Sequence, residues 1–178
     1  MRVLGIDPGL RLTGYACLES GGPALPGGDR CRIVEAGVFR LGGGSERASI
    51  SERLEELDRD IRELIERTRP GLVAVEAIFA HYKHPATAIV MGHARGVILL
   101  AVRRAGLSLM EFKPALVKKG MTGHGGAAKD RMQRAVQAVF GLPEPPSPPD
   151  VADAIAIALC ALRRRESTPI GVATIPDA

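Results

Sequence analysis

Residues 3–18 read VLGIDPGLRLTGYACL, and the rest of the chain can be organised around them. A short apolar run at 3–6 ends on Asp7 and is broken by Pro8-Gly9, a turn signal. Residues 12–18 form a second candidate strand. Residues 32–41 form a third, with Ile33, Val34, Val38 and Phe39 as strand formers. Between them GGPALPGG, at 21–28, reads as a loop by composition. Three strands joined by short connections predict an antiparallel meander whose first strand ends on a carboxylate.

The periodicity then changes. Ile50, Leu54, Leu57, Ile61, Leu64 and Ile65 recur at helical steps, predicting a helix with one buried stripe, ended by Pro70. Residues 72–75 are a fully apolar strand followed at once by Glu76. A helix over 86–104, rich in small residues, precedes a short strand at 108–112. The basic stretch 113–126 reads as one or two helical pieces, and 130–140 as a helix. Residues 141–149 hold five prolines and read as a linker. Residues 151–162 are apolar almost all round, which predicts a buried closing helix. The order βββαβαβαα predicts an α/β fold: a mixed sheet with helices on both faces.

Composition narrows the class. The chain has 178 residues, of which 46% are hydrophobic but only 3% aromatic, so its core must be aliphatic. Three scattered cysteines, Cys17, Cys31 and Cys160, offer neither a disulfide framework nor a zinc spacing and favour a reducing compartment. No apolar run approaches the length of a membrane span, and the first residues lack the pattern of a signal peptide. The expectation is a soluble, cytoplasmic protein with no membrane partner. The net charge of +4 is unevenly spread. Residues 80–135 carry ten Lys and Arg against two acids, net +8, leaving −4 for the remainder. A localised basic segment fits a phosphate-contacting face.

Four carboxylates stand at positions with a choice of meanings. Asp7 and Glu76 each end a strand, and Asp150 and Asp153 share one face at the start of an apolar helix. Carboxylates taken into apolar surroundings need a counter-charge. Acids clustered without His or Cys favour a hard cation, Mg2+ or Mn2+. Each acid also has a local alternative. Asp7 suits a Pro-Gly turn, Glu76 suits the first solvent-facing position after a strand, Asp150 suits a helix N-cap, and Asp153 suits the positive end of a helix. Spacing alone does not choose between these.

Five stretches in register resemble the RuvC family of crossover (Holliday) junction endodeoxyribonucleases. They are GIDPGLRLTGYA at 5–16, VAVEAIF at 73–79, GHARGVIL at 92–99, the basic segment 118–129, and DVADAIAIALC at 150–160. The resemblance spans residues 1–162. It implies a ribonuclease H-like fold with a mixed five-stranded sheet, in a single nuclease domain over 1–165. Residues 166–178 form a tail that carries no matching motif and is compatible with disorder. It further implies a homodimer that resolves four-way DNA junctions in recombination and repair. Symmetric hydrolysis would leave nicks with a 5′ phosphate and a 3′ hydroxyl. The implied metal ligands and catalytic acids are Asp7, Glu76, Asp150 and Asp153, holding two Mg2+ or Mn2+ ions per site, with Lys129 as a further catalytic residue. RuvA and RuvB, the branch-migration complex, are the implied partners. Ala77 departs from the family, many members of which carry Gln there, as does the His124-Gly125-Gly126 spacing.

Residues 79–84, FAHYKH, place two of the six aromatic residues, Phe79 and Tyr82, beside Lys83. They read as a junction-contacting loop, since aromatic faces stack on any base, although Phe79 also suits a core position. Lys118, Lys119 and Lys129 complete the expected DNA-binding set. An actin-like or sugar-kinase ATPase would share the opening motif but needs a second half and another Gly-rich loop. A pure binding module has no use for four clustered acids. A ribonuclease H-like nuclease acting on RNA would share the fold and is separated by substrate competition.

Overall fold

The computed structural model describes residues 1–43, 48–77 and 85–167, the side chains of 85–87 and 167 excepted. Among these residues the elements are β1 (Arg2–Asp7), β2 (Leu12–Ala24), β3 (Arg30–Arg40), α1 (Ile50–Thr68), β4 (Leu72–Glu76), α2 (Pro85–Arg104), β5 (Ser108–Phe112), α3 (Pro114–Thr122), α4 (Lys129–Phe140) and α5 (Pro149–Ser167). The five strands form one mixed sheet in the order β3-β2-β1-β4-β5. β1, β2 and β3 make the antiparallel meander, while β4 lies parallel to both β1 and β5. This is the mixed five-stranded sheet with helices on both faces expected from the sequence. No described helix is long and apolar enough to cross a membrane.

Strand alternation divides the core in two. Val3, Ala16, Leu18, Leu72, Ala74 and Phe112 point to the face covered by α3, α4 and α5. Leu4, Ile6, Cys17, Val73 and Val75 point to the other face, covered by α1 and α2. Both layers are built from aliphatic side chains, and each fully buried Leu or Ile contributes about 1.5–3 kcal/mol. In α1 the stripe closes on Leu57, Ile61 and Leu64. Ser49 and Glu52 form a reciprocal capping box at its start, and Arg69 adopts the left-handed conformation (φ 47°) just before Pro70.

Three expectations change. β2 continues to Ala24, so the first half of the 21–28 segment is strand rather than loop. Its turn is held by Leu25 N–H donating to the Asp29 carbonyl at 2.7 Å, and Leu25 packs against the core, so local composition was outweighed by tertiary contact. Ile50, at the head of the helical stripe, is 45% exposed because α1 has only just begun there. Three helices follow β5, with α3 inside the 113–126 stretch expected to be helical, so the order βββαβαβαα is one helix short.

Candidate active site

Asp7 is the last residue of β1 and is held on both sides. Its register partner on β2 is Gly14, and Ile6 beside it pairs with Val75 on β4, which brings Glu76 alongside. Parity sets the direction of both acids. Val3 faces α5, so Asp7 faces it too; Leu72 and Ala74 face α5, so Glu76 follows. The ladder stays closed beyond Glu76, because Ala77 N–H donates to the Phe112 carbonyl at 2.9 Å. Ala77 therefore serves this ladder through its backbone, whatever side chain it carries.

The turn after Asp7 is stapled by Thr13, which is fully buried. Its hydroxyl donates to the Gly9 carbonyl at 2.5 Å and accepts from Gly9 N–H at 3.3 Å. Sequence reading passed over this residue. The available signal was a hydroxyl four residues after the glycine of a Pro-Gly turn, a spacing that suits a side-chain-closed turn.

Two glycines let α5 reach the strands. A Cβ on Gly14 would lie 2.1 Å from the Asp150 carbonyl oxygen. A Cβ on Gly5 would lie 2.4 Å from the Ala154 carbonyl oxygen and 2.6 Å from the Ala158 nitrogen. Backbone contact this close excludes any side chain on the strand and requires small residues on the helix. Ala152, Ala154, Ala156 and Ala158 meet that need and are fully buried. Asp150 follows Pro149 inside the first turn of α5, so it is not the helix cap. Asp153 lies three residues further along. The four acids thus converge on the end of β1, from two neighbouring strand ends and one helix start.

Their electrostatics follow from that convergence. Burial holds the Asp7 carboxyl well above the usual range, and the charges of Glu76, Asp153 and Asp150 push it further. Burial and Asp153 raise Glu76 to about 7. Burial also raises Asp153. Two lysines oppose this: Lys118 on α3 favours the charged forms of Glu76 and Asp153, and Lys129 those of Asp7 and Asp153. Lys129 opens α4, where a cation works against the helix dipole by about 0.3–1 kcal/mol. Helix stability alone gives no reason for that placement; the field of the carboxylates does.

The donor set fits a hard divalent cation. Among the described residues, no hydrogen bond contributes to the shifts of Asp7, Glu76 or Asp153, and the lysines act on these charges through space. Among the described residues, no three His, Cys, Asp or Glu side chains already form a compact coordination shell. The acids nevertheless share an electrostatic field.

The remaining expected site residues divide. Lys119 is exposed on α3 and is not among the groups that shift the acids. Phe79, Tyr82 and Lys83 lie outside the described residues. Within the basic segment, Arg95 is paired with Glu111. Arg103 and Arg104 end α2 just before β5 begins, at the edge of the sheet opposite to Glu76.

A family model described as "Crossover junction endodeoxyribonuclease RuvC" matches residues 3–161. A protein of that name from Rhodopirellula baltica is 46% identical over 159 residues, covering 89% of this chain and 84% of the relative. Among solved structures, a Thermus thermophilus RuvC superposes with a TM-score of 0.79 at 34% identity, covering 94% of this chain and 98% of that one. The same organism's RuvC in complex with a Holliday junction substrate gives 0.77 at 30% identity, covering 93% and 96%.

Proposed function

The chain belongs to the RuvC family of crossover junction endodeoxyribonucleases, and we propose that it resolves four-way DNA junctions by metal-dependent phosphodiester hydrolysis. One observation carries the assignment of the site. Asp7, Glu76, Asp150 and Asp153 share a buried face with raised carboxyl pKa values on three of them, and two lysines stand at its border.

Asp7, Glu76, Asp150 and Asp153 would hold Mg2+ or Mn2+, two ions per site. Bound there, such ions supply an activated water and stabilise the departing 3′ oxygen. Asp7 would be the acid shared between ions, because it ends β1, the middle strand of the sheet, which pairs with β2 and β4. Glu76 must lose its proton before it can act as a ligand, and Lys118 assists by favouring its charged form. Lys129 and Lys118, whose charges reach the acids, would meet phosphate oxygens, and Lys119 would extend this basic surface on α3. Phe79, Tyr82 and Lys83 are assigned to junction contact on sequence grounds.

The products are nicks with a 5′ phosphate and a 3′ hydroxyl, cut symmetrically so that a ligase can reseal them. Symmetry calls for a homodimer. One face of α2 suits that role: Ile89 and Leu100 are exposed, and no neighbouring element among the described residues lies within 4 Å of a Cβ built on Gly92 or Gly96 between them. Small residues at such spacing let a second helix approach closely. Partnership with RuvA and RuvB, action in the cytoplasm in recombination and repair, and a single nuclease domain over 1–165 belong to the same proposal. α5 itself continues to Ser167, and residues 168–178 lie outside the described part.

The test is incubation with a synthetic four-way junction and a linear duplex of matching sequence, with and without Mg2+ or Mn2+. Paired nicks in the junction alone, dependent on the ion, are expected. Equal cutting of the duplex, or cutting that persists under chelation, would overturn the proposal.

A further inference from the structure

Residues 141–149 contain five prolines, so most of this linker has no backbone N–H to donate. It cannot organise itself by main-chain hydrogen bonds, and its carbonyls need donors from elsewhere. α4 provides two. Gln133 Nε2 donates to the Pro146 carbonyl at 2.7 Å, and Gln137 Nε2 donates to the Pro143 carbonyl at 3.2 Å. A carbonyl only accepts, so each partner dictates which way its amide faces. At the near end, Leu142 N–H donates to the Gln137 carbonyl at 3.0 Å, tying the linker to the last turn of α4.

The spacing of these residues matters. Lys129, Gln133 and Gln137 recur every four residues and share one stripe of α4. The first of them faces the carboxylates; the second grips Pro146, four residues before Asp150. Gly14 admits the Asp150 backbone directly against β2. Asp150 is therefore seated on β2 by direct approach and tied to the α4 stripe through the linker that ends at Pro149.

We propose that Gln133 is a positioning residue for Asp150. It fixes the final stretch of the linker, so that α5 starts where Asp150 can share a divalent cation with Asp7, Glu76 and Asp153. The proposal rests on the assignment of Asp150 as a metal ligand. Gln137 does the same further from the site, with a longer bond at an exposed position.

Two substitutions separate donor from bulk. Gln133→Glu keeps the size but turns the donor into an acceptor facing a carbonyl. Gln133→Met keeps the length without a donor. The full chain, stripped of metal and shown by circular dichroism to be folded, is titrated calorimetrically with Mn2+. Both variants should bind Mn2+ about tenfold more weakly, the lower end of the range for groups that orient a ligand. Asp150→Asn, titrated alongside, should lose more than either. Junction affinity without divalent ions should stay at the wild-type level, and cleavage should recover at saturating Mn2+. Gln137→Met should weaken Mn2+ binding less, and it carries the test if neither Gln133 variant folds. Wild-type Mn2+ affinity in the glutamine variants, with Asp150→Asn weakened, would overturn the positioning role and leave the metal site standing. Wild-type affinity in Asp150→Asn as well would overturn the ligand assignment and the inference with it.

Discussion

Acids on the meander side of the sheet and acids at the end of β1 are treated in opposite ways by this fold. On the meander, Glu19 is bonded by Arg2 and Arg32, Glu35 by Arg67 and Tyr15, and Asp29 by Arg163. Each of these carboxyls is held below its usual range, chiefly by those hydrogen bonds. At the end of β1, Asp7, Glu76 and Asp153 have no such bond among the described residues and are held above it. Among the described residues, guanidinium groups bond the first set of acids and not the second. An acid locked to an arginine cannot also bind a cation. The contrast separates structural charge from charge kept available for chemistry.

The largest break in that contrast is Asp7→Asn. It removes one of the four clustered carboxylate charges and keeps the shape. Cleavage of a synthetic junction should fall on the order of a thousandfold, the scale of several kcal/mol of lost metal-assisted stabilisation. Junction binding in a gel-shift assay should be retained, since the basic surface is untouched. Next is Gly14→Ala, whose new methyl would meet the Asp150 carbonyl. It should cost about 1–3 kcal/mol in stability by denaturant titration. Cleavage should drop beyond what that loss explains, because Asp150 must move.

The pH dependence of stability should differ in sign between the two groups. Glu76, at about 7, and Asp7 and Asp153 hold protons more tightly folded than unfolded. Their contribution is complete below the ordinary carboxylate range and is lost as pH rises through their raised folded values, about 7 for Glu76. The metal-free protein should therefore melt several degrees lower at pH 8 than at pH 5.5. Mg2+ or Mn2+ should raise the melting temperature, and more so at pH 8. Glu35 and Asp29 behave oppositely, contributing above the ordinary range and losing that contribution as pH falls below it. The smallest effect is expected at these paired acids. Arg67→Ala should lower stability by about 0.2–1 kcal/mol, since its bridge to Glu35 is partly solvated, with no change in cleavage.

Much of this was legible in the residues themselves. Apolar runs, Pro-Gly breaks and helical periodicity located every described strand and helix to within a few residues, except where tertiary contact intervened. The 21–28 segment is the instructive case: its glycines and prolines signal a loop, yet part of it is drawn into β2 because Leu25 packs on the core and Asp29 is clamped by Arg163. The acids at the ends of β1 and β4 were visible as residues in suspicious places. The motifs resembling a known family, rather than spacing, chose the reading that made them one site.

The amino-acid sequence by itself determined the elements, the aliphatic core and the family, because these depend on local pattern and on motif order. Tertiary structure alone decided which carboxylates stay without partners and how the helix start is seated. Gly14 meets Asp150, Lys129 balances Asp7, and Arg95 is claimed by Glu111. The first two contacts join residues more than a hundred positions apart, and the third joins separate elements. No periodicity encodes such meetings. They follow from sheet register, strand parity and the absence of a side chain at two glycines, which act only once the layers have packed.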